Sequence, residues 1–372
     1  MDMAKLKNQL TQPMQMQEFK YFTDYETDKS IKIGISALVG KLSPKPSSHK
    51  SGWAFMLCNQ LKSAGYTDVT VITDTVTHWE ENFHVVLIEH GMEFKGNFNI
   101  FGGANDDLYN QIIRLFSKGI RMYSLHHDMP CVGTLIEKRL KTGSELFKTL
   151  EVRIDEAKSI CGKIQRVDHI EKTDKLCFGD SHSFSQYTPE FMVNRNDGLT
   201  LFGTLKRGLA EYVYPWTTEL RIYIGNIDIR HHLMRQPDPK AALTKMMNQY
   251  EQMLISSGIK TIDVVQALPI ENESRQLPKT GFYKDTPFAG SWQERTELVN
   301  LMNEMIAIMC DRNGWTTWQH SDAYKNPIGE LSFDVMEKPK SVHIAREFYR
   351  WDLVNNEPNK KLEVATIQTA LF

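Results

Sequence analysis

The sequence lacks the features that mark secreted and membrane proteins. Its five cysteines form no C-x-x-C pair, and a chain of 372 residues needs no disulfides to support a core, so we expect reduced thiols. No apolar run approaches the ~20 residues that cross a bilayer. The first residues also lack the apolar segment of a secretory signal peptide. Together these absences predict a cytoplasmic protein with no membrane partner.

An excess of charge and the common nucleotide-binding motifs are also missing. With 44 basic and 46 acidic side chains, the net charge is −2. A near-neutral chain has no global attraction for nucleic acid, although a local basic patch would still permit such a partner. Neither G-x-G-x-x-G nor a P-loop occurs, so we expect no cofactor. Apolar residues make up 41% of the chain, which is enough for folded cores.

Strand-like and helix-like segments alternate along most of the chain. We interpret residues 1–30 as a polar arm, 31–141 as a Rossmann-like domain, 142–170 as a helical linker and 171–372 as a second α/β domain. The alternation predicts, in each domain, a parallel sheet covered by helices on both faces, that is, a three-layer α/β/α arrangement. In the second domain we place strands at 176–178 and 199–202 and helices at 239–256 and 291–311.

The most informative segment is Gly-Asp-Ser-His-Ser at 179–183, directly after an apolar strand. A serine in a tight turn there stands at the carboxyl edge of the sheet, where ligands of open α/β sheets bind. Asn226 follows another predicted strand, and His343 lies in a loop near the end of the chain. Acyl transfer needs a nucleophile, a base and donors for an oxyanion, and Ser181, His343 and Asn226 supply these residue types.

In this order the motifs resemble those of the SGNH (GDSL-type) hydrolases. The matching blocks are Gly-Asp-Ser at 179–181, Gly203 after the second strand, Gly-Asn at 225–226 and the late His343, over roughly residues 172–355. The resemblance implies a flavodoxin-like sandwich and the activity of an esterase, lipase, carbohydrate deacetylase or acyltransferase. It implies that Ser181 is the nucleophile, that His343 is the base, and that the N–H groups of Ser181 and Gly203 form an oxyanion hole with Asn226. The expected substrate bears an ester, for example an O-acyl group on a carbohydrate.

One position departs from that family's pattern. The family usually carries an aspartate three residues before the histidine, and this chain has Lys340 there. A cation cannot orient the imidazole, and a nearby one would oppose its protonation. Asp334 or Glu337 could turn inward instead, or a backbone carbonyl could orient a Ser–His dyad. A binding protein without catalysis is therefore a further hypothesis.

Basic residues near the predicted edge bear on the type of substrate. They are Arg230, His231, Arg235, Arg275 and Lys279. If they face the edge, the pocket is cationic and suits an anionic substrate. The alternative is that they pair with the carboxylates of Asp228, Glu271 and Glu273.

The first domain has a resemblance of its own. Ile-Phe-Gly-Gly at 100–103 and His-His-Asp-Met-Pro at 126–130 are similar to the amino-terminal half of bacteriophage DNA β-glucosyltransferases. This implies an alternative function, a glycosyltransferase-like enzyme in which Asp128 is the base and the second domain is a scaffold. No third and fourth ligands accompany the two histidines at regular spacing, so we expect no metal.

Overall fold

The computed structural model describes residues 20–36, 52–72, 82–89, 118–125, 165–167, 169–272, 277, 284–320, 322–352 and 357–359. These residues form two compact units, and the chain passes from the first to the second between Lys172 and Thr173. Within the described ranges, every helix is too short or too polar to traverse a lipid bilayer.

The first unit contains a five-stranded sheet. Its strands are β1 (Lys32–Ser36), β2 (Asp68–Ile72), β3 (Val85–Glu89), β4 (Arg121–Leu125) and β5 (Gln165–Val167), and the helices among its described residues are α1 (Phe22–Tyr25) and α2 (Gly52–Ser63). The order is β2-β1-β3-β4-β5, and every pairing is parallel. The predicted parallel α/β fold is confirmed. The order 2-1-3-4-5 is that of flavodoxin-like folds, whereas a Rossmann sheet has the order 3-2-1-4-5-6.

Residues that we assigned to the arm and to the linker take part in this first unit. Phe22 is fully buried, and its N–H donates to the carbonyl of His169 at 2.9 Å. The buried carboxylate of Glu26 accepts hydrogen bonds from Arg121 at 2.6 and 2.8 Å and from the hydroxyl of Tyr123 at 2.6 Å. Strand β5 lies inside the predicted linker. The average polarity of residues 1–30 concealed two buried aromatic residues, Tyr21 and Phe22, and the paired carboxylate of Glu26.

The second unit is built on another parallel sheet. Its strands are β6 (Lys175–Gly179), β7 (Met192–Arg195), β8 (Glu219–Tyr223), β9 (Thr261–Val265) and β10 (Thr316–Trp318). Its helices are α3 (Leu201–Arg207), α4 (Pro239–Ser256) and α5 (Trp292–Asn313), and a short antiparallel pair, β11 (Trp351–Asp352) and β12 (Glu357–Pro358), follows. The order β7-β6-β8-β9-β10 is again 2-1-3-4-5, the flavodoxin-like order.

Local signals explain where the long helices of this unit begin and end. Asp238 accepts a hydrogen bond from the N–H of Ala241 at 2.9 Å, and α4 begins with a proline at the next residue. Ser291 and Glu294 form a capping box at the start of α5, and Gly314 ends that helix with a φ of 68°. Both helices agree with the sequence prediction to within two residues.

The predicted strand at 199–202 is wrong. Thr200 caps α3, with its hydroxyl accepting from the N–H of Gly203, and Leu201 and Phe202 lie in the first turn of that helix. The second strand of the sheet is β7, which ends at Arg195. A short apolar run with a threonine fits a strand or a capped helix equally well. Here the hydrogen bond to the side chain of Thr200 stabilises the helix.

The order of strands reverses between β6 and β8, which lie side by side. Gly179, the last residue of β6, is in register with Tyr223, the last residue of β8. A Cβ on Gly179 would lie 2.0 Å from the carbonyl oxygen of Tyr223, so only glycine permits this approach. Such a reversal point opens a crevice at the carboxyl ends of the strands, and the two loops that carry Ser181 and Asn226 start there.

Candidate active site

Ser181 stands on a tight turn at the end of β6. The N–H of Asp180 donates to the carbonyl of Tyr223 at 3.2 Å, and the N–H of Ser183 donates back to the carbonyl of Asp180 at 3.1 Å. The Asp180 carboxylate accepts from the N–H of His182 at 2.9 Å. These bonds hold the turn at the crevice, with Ser181 half-buried at its apex.

The structure brings Ser181 and His343 together across 162 residues of chain. The Oγ of Ser181 lies 2.7 Å from Nε2 of His343. The His343 ring is 17% exposed, so it keeps a path to substrate while being held by protein on most sides. For Nε2 to accept the serine proton, the ring hydrogen must be on Nδ1.

Glu337 stands behind the imidazole. Its Oε1 lies 3.8 Å from Nδ1 of His343, and its side chain is only 5% exposed. Ser341 joins the two residues, because its hydroxyl donates to Glu337 Oε1 at 2.9 Å and accepts from the N–H of His343 at 3.1 Å. The N–H of Glu337 in turn donates to the carbonyl of His343 at 3.0 Å. Of the carboxylates weighed from the sequence, Glu337 is therefore the one that faces the ring.

Lys340 and Asp334 have other surroundings. Lys340 is exposed and has a φ of 67°, in the left-handed region that non-glycine residues seldom adopt. The turn at this residue lets the segment fold back, so that Glu337 comes opposite His343. Asp334 is exposed. The carboxylate behind the imidazole of His343 therefore lies six residues earlier in the chain. In the SGNH pattern that the sequence resembles, the aspartate lies three residues before the histidine.

Asn226 lies at the end of β8, almost fully buried. Its Nδ2 donates to the hydroxyl of Tyr223, and that hydroxyl also accepts from the N–H of Leu268 at 3.2 Å. Burial raises the pKa of Tyr223, with the charge of Asp180 adding to the effect, so the phenol keeps its proton. Oδ1 of Asn226 has no hydrogen-bond partner among the described residues. An amide turned by 180° would accept the phenol proton at Oδ1 and leave Nδ2 as a free donor.

Gly203 does not supply the oxyanion donor that we expected. Its N–H donates to Thr200 Oγ1 at 2.9 Å in the first turn of α3, and a Cβ on Gly203 would lie 2.9 Å from that same oxygen. This wrong expectation has the same cause as the wrongly predicted strand at 199–202. The glycine follows a helix cap, whereas we had placed it after a strand.

Asp228 links the loop after β8 to the start of α3. Its carboxylate accepts from the N–H of Leu201 at 2.7 Å and from the N–H of Phe202 at 3.1 Å. Burial raises the pKa of Asp228 to about 6, against the opposing effect of these two hydrogen bonds. The sequence suggested Asp228 only as an ion-pair partner of the nearby basic residues, whereas in the structure its carboxylate supports the start of α3 beside the crevice.

The two arginines after Asn226 both donate hydrogen bonds within the second unit, Arg230 in the interior and Arg235 at the surface. Nε of Arg230 donates to Glu271 at 2.8 Å, and both side chains are 2% exposed, so the alternative of an internal ion pair describes this residue. Arg235 donates to the carbonyls of His231 and Pro287 at 3.0 and 2.7 Å.

Several other predicted site residues find no support in the part of the chain described here. The ring of His231 is buried and stacks on Phe288 at 5.5 Å between centroids. Arg275, Lys279 and Asp128 lie outside the described residues.

No cluster of three or more histidine, cysteine or acidic side chains placed to hold a metal occurs among the described residues.

Sequence reasoning passed over His182, although it directly follows Ser181. Its ring lies against that of His343, with centroids 4.6 Å apart and planes at 33°. The signal was the position itself, since a histidine next to Ser181 in a tight turn must lie close to that serine.

Comparison with known proteins gives partial structural likenesses only. No protein-family model matches the chain, and no curated protein matches it either. A candidate platelet activating factor from Streptococcus pneumonia shares 15% identity, with 55% of this chain and 86% of that one covered at a TM-score of 0.37. A GDSL-like lipase from Bacteroides thetaiotaomicron shares 14%, with 52% and 87% covered at 0.36. A candidate acylhydrolase from Bacteroides fragilis shares 14%, with 54% and 92% covered at 0.36. At TM-scores below 0.5 these likenesses do not bear on the activity of this chain.

Proposed function

We propose that the second unit is a serine hydrolase that cleaves an ester through an acyl-enzyme. Ser181 is the nucleophile, His343 is the general base, and Glu337 orients and stabilises the imidazole. The observation that carries the proposal is the 2.7 Å contact between Ser181 Oγ and His343 Nε2 at the reversal point of the sheet.

The proposed reaction has two halves. Nε2 of His343 takes the proton of Ser181 while Oγ attacks the carbonyl carbon of the ester. The tetrahedral intermediate collapses, the C–O bond to the alcohol breaks, and the alcohol leaves with the proton from His343. Water then gives a proton to His343 and attacks the acyl-enzyme, which releases the carboxylic acid and restores the hydroxyl of Ser181. The carboxylate of Glu337 stabilises the imidazolium in both halves.

The proposed donors to the oxyanion are the backbone N–H of Ser181 and the side-chain amide of Asn226. Both stand at the carboxyl ends of adjacent strands, β6 and β8. The amide can serve if its nitrogen faces the ligand. Its oxygen then faces the hydroxyl of Tyr223, which can donate its hydrogen to that oxygen, and this favours the orientation. Gly203 is left out of this set because its N–H is held by Thr200.

The acyl group and the alcohol remain open within the class of esters. An O-acylated carbohydrate stays a prediction. An anionic substrate has less support, because Arg230 is neutralised by Glu271 inside the fold. No described residue favours the glycosyltransferase alternative, whose proposed base, Asp128, lies outside the described ranges.

A fluorophosphonate probe tests the proposal on the full chain. We expect labelling of the wild type and of Ser183→Ala, and none of Ser181→Ala. Ser183 is a matched control because it is a buried serine on the same turn, and its hydroxyl has no hydrogen-bond partner among the described residues. Labelling that persists in Ser181→Ala, or a folded wild type that is not labelled, contradicts the proposal; the second result favours a protein that binds without catalysis.

A further inference from the structure

His182 connects the turn of the nucleophile to the segment that carries His343. Its Nδ1 lies 2.9 Å from Oδ1 of Asp180, and its Nε2 lies 2.9 Å from the carbonyl oxygen of Val342, the residue before His343. The side chain of His182 is 3% exposed, and that of Asp180 is fully buried. The ring thus spans two segments that are 160 residues apart in the chain.

The chemistry of the two hydrogen-bond partners determines where the ring of His182 must carry a hydrogen. A backbone carbonyl can only accept, so Nε2 has to carry a hydrogen and donate it to Val342. The same bond means that Nε2 of His182 is already used, and this histidine cannot be the base for Ser181. For Nδ1 to donate to the carboxylate of Asp180 at the same time, the ring must carry a hydrogen on both nitrogens, and the two bonds then keep the ring from turning.

The flanking rings restrict His182 further. The ring of Tyr223 lies with its centroid 5.4 Å from that of His182, and the ring of His343 lies 4.6 Å away. His182 therefore packs against the end of β8 and against the proposed base, in addition to its two hydrogen bonds. It presents a fixed surface to the ring of His343.

We propose that His182 is a positioning residue, which sets the place of His343 by holding the carbonyl of Val342; this inference rests on the proposed function. Glu337 and Ser341 hold His343 from its other side, and Ala345 is tied to Val335 by a 2.7 Å hydrogen bond. Among the described contacts, the carbonyl of Val342 joins the backbone of this segment to the turn of Ser181, whereas the contact of His343 with Ser181 joins only their side chains. Loss of that bond frees the segment to shift, and a shift of about 1 Å at a reacting group can cost on the order of a hundredfold in rate.

Two amide substitutions separate the two hydrogen bonds of the ring. In His182→Gln the amide nitrogen stands near the place of Nε2 and can still donate to Val342. In His182→Asn the amide stands near the place of Nδ1, so it keeps the side toward Asp180 and does not reach Val342. Both variants remove the ring, and each therefore serves as the control for the other.

The assays are turnover of p-nitrophenyl acetate and the rate of labelling by a fluorophosphonate. We expect kcat and the labelling rate of His182→Asn to fall by about tenfold to a hundredfold with KM little changed. We expect kcat and the labelling rate of His182→Gln to stay within about threefold of the wild type, since this variant retains the hydrogen bond to the carbonyl of Val342. Equal rates in both variants, whether both are normal or both are slow, overturn the inference.

Hydrogen exchange of the full chain gives a readout that needs no activity. In His182→Asn we expect faster exchange in the peptide that covers residues 337–345, while His182→Gln keeps the wild-type rate there. If the wild type is inert toward ester and probe, the proposed function fails, and this exchange comparison still decides whether His182 holds the segment. Unchanged exchange in His182→Asn overturns the inference.

Discussion

Replacing Glu337 by glutamine should slow catalysis sharply without unfolding the protein. The glutamine has nearly the same shape and can still accept the hydrogen bond from the hydroxyl of Ser341, so the segment around His343 keeps its support. What it removes is the negative charge 3.8 Å from Nδ1 of His343. The imidazolium that forms during attack by Ser181 then loses the counter-charge of Glu337.

The size of the effect follows from that distance. Two unit charges 3.8 Å apart attract by about 4 kcal/mol at an effective dielectric constant of about 20. At about 1.4 kcal/mol for each factor of ten, this corresponds to a fall in kcat on the order of 10³-fold. Removal of the triad acid in another serine enzyme costs about 10⁴-fold, where the acid hydrogen-bonds directly to the ring. The longer separation here is consistent with a somewhat smaller loss.

The assay is steady-state hydrolysis of p-nitrophenyl acetate by the full chain. Asp334→Asn is the matched control, because it removes an exposed carboxylate from the same segment and should leave kcat unchanged. If Glu337→Gln keeps kcat within a few-fold of the wild type, Glu337 is not the acid of a triad. Ser181 and His343 would then act as a dyad.

Two further predictions concern the loop after β8. Asn226→Ala should lower kcat by about 10²–10³-fold with a smaller effect on KM, because an oxyanion donor acts mainly in the transition state; an unchanged kcat would remove Asn226 from the oxyanion hole. The pKa of Asp228 is raised from 3.8 to about 6 in the folded protein, so the folded state binds more protons and this residue's stabilising contribution falls as pH rises through that window. Urea unfolding at pH 4 and 7 should therefore show the wild type losing up to about 3 kcal/mol relative to Asp228→Asn, and a pH-independent difference between the two proteins would contradict the assignment.

Much of the second unit could be predicted from the sequence. Its central strand β6 is buried and reads as an apolar run from Leu176 to Phe178. The caps at Asp238 and Ser291 mark the long helices. Turns that follow apolar strands fall at the carboxyl edge of the sheet, which is why the sequence predicted that Ser181 and Asn226 lie at this edge.

The errors have local physical causes. Gly203 was misplaced because Thr200 through Phe202 can form a strand or a capped helix turn, and the carboxylate of Asp228, 27 residues away, stabilises the helix start. The position of Glu337 depends on the left-handed turn at Lys340, a conformation that the residue type does not favour. The role of His182 depends on Val342, which is distant in sequence and offers only its backbone.

The proposed chemistry depends on the activation of Ser181 by His343. This activation can be measured by peptide mass spectrometry after treatment of the full chain with a fluorophosphonate. We expect a single phosphonyl adduct on the peptide that contains Ser181, and its loss in His343→Gln. An adduct on another residue, or an equal yield on Ser181 in His343→Gln, would show that His343 does not activate Ser181.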